Sequence, residues 1–224
     1  MKISMNNLVI YLLLLMVYLG LSKSLSPSEY GVNYVNNSES LSALIGAGPV
    51  SVILTDIHST GFIIKTYYHK YKVVYGFQSY EEVIARTSGT FSQKHLKHIG
   101  LSIFRRHKDD RINDTPLPPG TIFIGDRNFG SWRKNRTQDK EWKFYRVYRL
   151  LPTYLGWGKF RPTYKFYQEA LVRSNNKKPF FGFNDEFGPE GEITKQYFPE
   201  YFKRYLDKKI DFKGFFKDYL KRNF

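Results

Sequence analysis

Residues 116–134 read PLPPGTIFIGDRNFGSWRK, and no other part of the chain is so clearly punctuated. Pro116, Pro118 and Pro119 fix φ on entry, Gly120 frees it, and Gly125 and Gly130 mark further turns around the apolar run Thr121 to Ile124. A short strand from Thr121 to Ile124 is expected. Its end would deliver the polar pair Asp126 and Arg127 to a sheet edge.

Working outward, Val50 to Ile57 (VSVILTDI) is dense in β-branched residues and predicts a strand. Phe62 to Val74 continues as one bent strand or a hairpin. The pattern Ser79-x-x-Glu82 is a capping-box signature and predicts a helix closed by Thr87-Ser88-Gly89. Phe91 to His107 reads as a helical turn to Lys97 followed by a strand through Ile99, Leu101 and Ile103. The charge run Arg105 to Asn113 reads as a solvated loop. Glu141 to Leu151 (EWKFYRVYRLL) alternates with period two, setting Trp142, Phe144, Arg146 and Tyr148 on one face, and predicts a strand stopped by Pro152. Thr163 opens a helix to about Arg173, with Tyr164, Tyr167, Ala170 and Leu171 on one stripe. Tyr197 to Phe224 has helical character, ending in a basic amphipathic segment, Asp211 to Phe224.

This order of elements predicts an α+β fold: one domain with a mostly antiparallel sheet and helices concentrated toward the C-terminus. Ahead of it, Lys2, the apolar run Leu8 to Leu21 and the small residues Ser22 and Ser24 have the order of a secretory signal, with cleavage expected after Ser24. The organisation is therefore residues 1–24 signal peptide, 25–48 an N-terminal arm containing one or two helical turns from Ser40 to Ala47, and 49–224 the domain. Retention of the signal as an uncleaved anchor is the alternative.

The chain has no cysteine, which removes thiol catalysis, cysteine–zinc sites and iron–sulfur clusters. With export, this points to a bacterial periplasmic or secreted protein whose stability comes from a packed core. An aromatic content of 18% supplies the side chains for it. The net charge is +15, and loss of Lys2 and Lys23 with the signal leaves +13, a field that favours polyanions. Export counts against nucleic acid and for an anionic or glycan polymer of the cell envelope, or an anionic membrane surface.

Candidate site residues follow from this chemistry. Trp132, Trp142 and Trp157, interleaved with Arg127 and Arg146, suit stacking on sugar rings combined with charge. Asp126 at a strand end suits acid–base work, although Gly-Asp-Arg-Asn is also ordinary turn chemistry. Asp185, Glu186, Glu190 and Glu192 form an acidic island that could supply a carboxylate pair for glycoside hydrolysis but has no calcium-loop spacing. His95 and His98, three apart on a helical turn, could begin a metal site, and Asp56-x-His58 could orient a base or bind metal. No motif implies a cofactor.

Three function classes emerge. The first is an exported binding protein for an anionic or glycan polymer. The second is a wall- or glycan-cleaving hydrolase using the carboxylates named above. The third is a membrane-surface or structural partner protein acting through the terminal amphipathic helix.

Overall fold

A computed structural model describes residues 5–24, 32–60, 65–77 and 79–208. The fold is α+β with a mostly antiparallel sheet. Helix α1 (Met5–Ser24) precedes β1 (Tyr34–Val35) and α2 (Ser38–Ala43); then come β2 (Val50–Thr60), β3 (Thr66–Tyr75) and β4 (Ser79–Thr87), a meander. Helix α3 (Gly89–His95) leads to β5 (Ser102–Arg106) and β6 (Ile112–Asn113), and the six strands run in the order β1-β4-β3-β2-β5-β6. Among the described residues only β1 is parallel to its neighbour, matching Tyr34 to Arg86 and Val35 to Thr87 of β4.

Strand β2 is paired on both edges and, over its first half, covered on both faces. Because alternate residues project to opposite sides, Val50, Val52 and Leu54 join Tyr71, Val73, Ile103 and Phe104 beneath α2, whereas Ile53 points the other way. That second face, with Ile53, Val74 and Leu101, carries the C-terminal half of the chain: Phe123, Trp142, Leu151, Leu155, Trp157, Phe166, Phe180 and Phe187. Fully burying each such Leu or Phe is worth about 1.5–3 kcal/mol, so the sheet is stabilised from both sides.

The C-terminal half is built around the hairpin β7 (Gly130–Lys134) and β8 (Lys140–Phe144), the short helix α4 (Leu151–Tyr154), α5 (Tyr164–Asn175), α6 (Glu192–Tyr197) and α7 (Pro199–Lys208). Pro199 separates the last two helices and opens α7, where its missing N–H costs nothing. The segment Asp211 to Phe224 lies outside the described residues, as do residues 25–31 of the expected arm. Val35, Leu41 and Ile45 of that arm are buried against the sheet.

Several local expectations give way. The run Thr121 to Ile124 is a succession of tight turns rather than a strand. Phe123 N donates to Gly120 O at 2.9 Å, with Gly120 and Gly125 both at φ above +80° or equal to it. A short apolar run has no periodicity to tell strand from turn, and here it is buried on all sides. Ser79 to Thr87 is β4 and not a helix: pairing with β3 from Tyr75↔Ser79 to Tyr67↔Thr87 overrides the capping pattern, and Val83, Ala85 and Thr87 alternate inward. The strand expected to Leu151 ends at Phe144. Pro152 then sits in the first turn of α4 instead of terminating a strand. The strand expected through Ile99 begins only at Ser102.

Candidate functional site

Ser88 caps α3 by accepting from Phe91 N at 3.1 Å, and the helix tightens into a single 3-10 turn, Leu96–His98. The i, i+3 spacing brings His95 and His98 together, Nδ1 to Nδ1 at 3.1 Å, with ring centroids 5.2 Å apart. Phe91 packs on the His95 ring at 4.5 Å, and His69 of β3 meets it edge-on at 6.2 Å. His69 in turn shares a 2.9 Å hydrogen bond between its Nδ1 and Tyr71 Oη. Burial is the main reason that all three imidazoles are held neutral: His95 is lowered to about 3, and His69 and His98 to about 4. The neighbouring His98, His69 and Lys94 depress His95 further, and Lys94 and Lys97 depress His98.

His95, His98 and Phe91 form one wall of a cleft of about 680 Å³, a size that suits a small molecule or the end of a polymer. Leu41, Phe91 and Ile103 give it an apolar lining; Asn36, Asn37 and Ser38 come from the start of α2, and Asp114 to Pro116 close the far side with Lys177 and Pro179. Lys94 stands on α3 beside the histidines, so the cleft holds two lysines and one aspartate.

The loop that carries Asp114 is set from below by Arg105. Only 2% exposed, this side chain donates to Ser102 O at 2.9 Å, to Asn113 Oδ1 at 2.6 Å and to Thr115 O at 2.6 Å. Burial lowers its pKa to about 9, and Asp114 acts in the opposite sense. Asn113 Nδ2 ties the same loop to Ser174 of α5 at 2.7 Å, and Phe180 N donates to Pro116 O at 3.1 Å. Asp114 itself accepts from Ser38 Oγ at 2.9 Å. Its charge is thus engaged from α2 and from Arg105, leaving the lysines as the cations that face an incoming group.

Asp56 and His58 lie at the far end of β2. Asp56 Oδ2 is 3.4 Å from His58 Nδ1, longer than a good hydrogen bond, and His58 stacks on Tyr68 at 5.2 Å. Asp56 lines a separate pocket of about 170 Å³ with Lys70, Lys72, Glu82 and Glu200. Lys70 bridges Glu82 at 2.8 Å and Glu200 at 3.7 Å there, and the hydrogen bond to Glu82 raises its pKa.

Two of the three tryptophans sit where stacking on a ligand is not open to them, and Trp132 is half-buried. Trp142 and Trp157 are each 2% exposed, and the Trp157 indole N–H donates to Pro119 O at 2.8 Å. Trp132 faces Trp142 across the hairpin and packs against it and Tyr164, each at 5.1 Å. Arg127 and Arg146 are exposed, on the 126–129 turn and the 3-10 turn Arg146–Tyr148 respectively. Interleaving in sequence therefore becomes separation in space: rings inward, cations outward.

The carboxylates are likewise dispersed. Asp126 Oδ1 accepts from Asn128 N at 2.9 Å and Asn128 Nδ2 at 2.8 Å, which is turn chemistry. Glu186 accepts from Asn184 N and Nδ2 within its own loop, both at 3.2 Å, and Asp185 is exposed with φ of 51°. Glu190 meets Lys195 at 3.4 Å, and Glu192 begins α6 in solvent. None of the five lines the two pockets described above.

Of the residues expected from sequence, only His95 and His98 reach the cleft. Sequence does not mark Lys94, Asp114 and Lys177, and Arg105 is buried although it opens a charge run that reads as solvated. Burial of Arg105 follows from its strand: Ser102 to Arg105 of β5 are all buried, and Arg105 pairs with Ser51, whose side chain lies in the core. Nothing local marks Lys177, which reaches the cleft by the fold of the segment after α5.

Comparison with known proteins supplies no family: no family model, no curated protein and no solved structure matches the chain.

Proposed function

We propose that this is an exported, basic binding protein, and that its ligand presents an anionic group to the cleft walled by α2, α3 and residues 114–116 and 177–179. The observation that carries the reading is the pairing of Lys94 and Lys177 with an apolar lining and neutral imidazoles in one cleft of about 680 Å³. The lysines attract charge, the apolar lining excludes water behind it, and His95 and His98 offer uncharged polar edges. An anionic or glycan polymer of the cell envelope fits this chemistry, approaching through the long-range field of a chain that carries +13 after loss of Lys2 and Lys23. The Lys94–Lys177 cleft replaces the tryptophan face as the place of contact, because Trp142 and Trp157 are in the core.

Titrating the full-length protein with polyphosphate and with neutral dextran at low and high salt tests the reading. Polyphosphate should bind, weaken with salt, and lose most of its affinity in the Lys94→Ala/Lys177→Ala variant. Polyphosphate binding that is unchanged in that variant would overturn the site.

Export rests on residues 1–24, whose charged, apolar and small-residue segments have the order of a signal peptide. Among the described residues no helix is long and apolar enough to cross a membrane. Expression in a bacterium followed by fractionation should yield periplasmic or secreted protein with Leu25 at its N-terminus. Recovery of the intact chain in the cytoplasm would contradict it.

A further inference from the structure

The His95–His98 pair has a geometry that anion binding alone does not call for. Two imidazole nitrogens bonded to one metal ion at about 2.0–2.1 Å, with about 90–110° between them, stand about 2.9–3.4 Å apart. The two Nδ1 atoms are separated by 3.1 Å, inside that interval. In the ion-free protein the same distance is a hydrogen bond, one ring donating and the other accepting. The separation already suits one ion, which would sit to the side of the line between the two nitrogens, so each ring has only to turn its lone pair toward it. Both rings are also held in place: His95 between Phe91 at 4.5 Å and His69 at 6.2 Å, His98 against Phe181 at 6.4 Å. Both line the cleft, so an ion has a path to them.

We infer that His95 and His98 bind one divalent transition-metal ion through their Nδ1 atoms, with the ion's remaining positions open to the cleft. Among the described residues no group of three or more His, Asp or Glu is placed to hold a metal, so water or an anionic ligand completes the coordination. A two-imidazole set selects ions that favour nitrogen, with Cu²⁺ ahead of Ni²⁺ and Zn²⁺, and it does not suit Ca²⁺ or Mg²⁺, which need oxygen ligands. An ion seated here would add a positive centre between Lys94 and the cleft and so deepen the anion reading. Its own test needs no anion and is independent of that reading.

The experiment titrates the full-length protein with Cu²⁺, and separately with Zn²⁺, at neutral pH in a non-coordinating buffer. One Cu²⁺ per chain is expected, with an electron paramagnetic resonance spectrum showing two nitrogen ligands. His98→Gln should weaken binding by more than about 10-fold, whereas His107→Gln, outside the cleft, should leave it unchanged. A second measurement on the unaltered protein does not depend on a variant folding: substoichiometric Cu²⁺ should broaden the imidazole resonances of His95 and His98 first. Broadening centred on His58 or the N-terminal amine, or equal affinity in His98→Gln, would overturn the assignment.

Discussion

Arg105 reaches Asn113 beneath the cleft, its Nη2 donating to Asn113 Oδ1 at 2.6 Å, and this contact holds the loop that presents Asp114. The guanidinium also satisfies the carbonyls of Ser102 and Thr115, so one buried side chain serves three acceptors on β5 and the loop. Leaving buried acceptors unsatisfied costs about 1–3 kcal/mol each. Ser102 O keeps the N–H of Leu117 and Asn113 Oδ1 keeps the N–H of Thr115, so Thr115 O is the acceptor left without its donor, and Arg105→Met is expected to lower stability by about 1–3 kcal/mol, read as a fall in the urea midpoint. A change within about 0.5 kcal/mol, the range of ordinary surface substitutions, would show that the loop does not depend on it.

Trp157 is a core residue. Trp157→Ala should cost about 3–5 kcal/mol, the range for emptying a buried aromatic site. Trp157→Phe keeps most of the volume but strands Pro119 O, and should cost less than Trp157→Ala. If either variant kept full stability while ligand binding fell, the ring would belong to a binding face instead.

Gly120 adopts φ of +80°, and a Cβ there would meet Leu155 and, at 3.0 Å, Trp157. Backbone strain and overpacking act together in Gly120→Ala, with an expected loss of about 2 kcal/mol or more. Thermal unfolding of this variant beside wild type measures it. An unchanged melting temperature would mean that the turn relaxes freely.

Acid should destabilise the metal-free protein through His69, His95 and His98. In the unfolded chain each takes up a proton near its ordinary value of 6.5, whereas the folded protein keeps them neutral down to about 4 for His69 and His98 and about 3 for His95. The unfolded state binds more protons between these values, so stability falls as pH drops from 6.5 toward 4 and levels off below the folded values. At about 1.4 kcal/mol per unit the sum is on the order of several kcal/mol, reduced for the half-buried His98. Denaturant midpoints with a chelator at pH 7.5 and 4.5 should differ accordingly. His69→Gln, if it folds, should flatten the profile, and equal midpoints in wild type would contradict it.

Strand β2 and helix α5 are legible in the sequence, the first by β-branching and the second by its cap and period. The failures share a physical cause. Ser79 to Thr87 satisfies a local capping rule, but pairing along the whole of β3 offers more than an isolated short helix can. Thr121 to Ile124 is apolar without period, and only the surrounding core decides that it closes into turns. The cleft is less legible still. His95 and His98 announce themselves by spacing, yet Lys94, Asp114 and Lys177 converge from three elements distant in sequence, and Arg105 is hidden inside a charge run. The aromatic and basic residues of the hairpin segment show the reverse: alternation along β7 and β8 sends Trp142 inward and leaves Lys143 exposed.

The central claim is that an anionic group is held between Lys94 and Lys177 rather than on the hairpin surface. The most direct measurement maps backbone and side-chain resonances during titration of the full-length protein with a short polyphosphate. Perturbations should concentrate on Lys94, His95, His98, Asp114 and Lys177 and disappear in Lys94→Ala/Lys177→Ala. Perturbations centred on Arg133, Lys134 and Lys143 of the β7–β8 hairpin, with the cleft residues unmoved, would contradict the account.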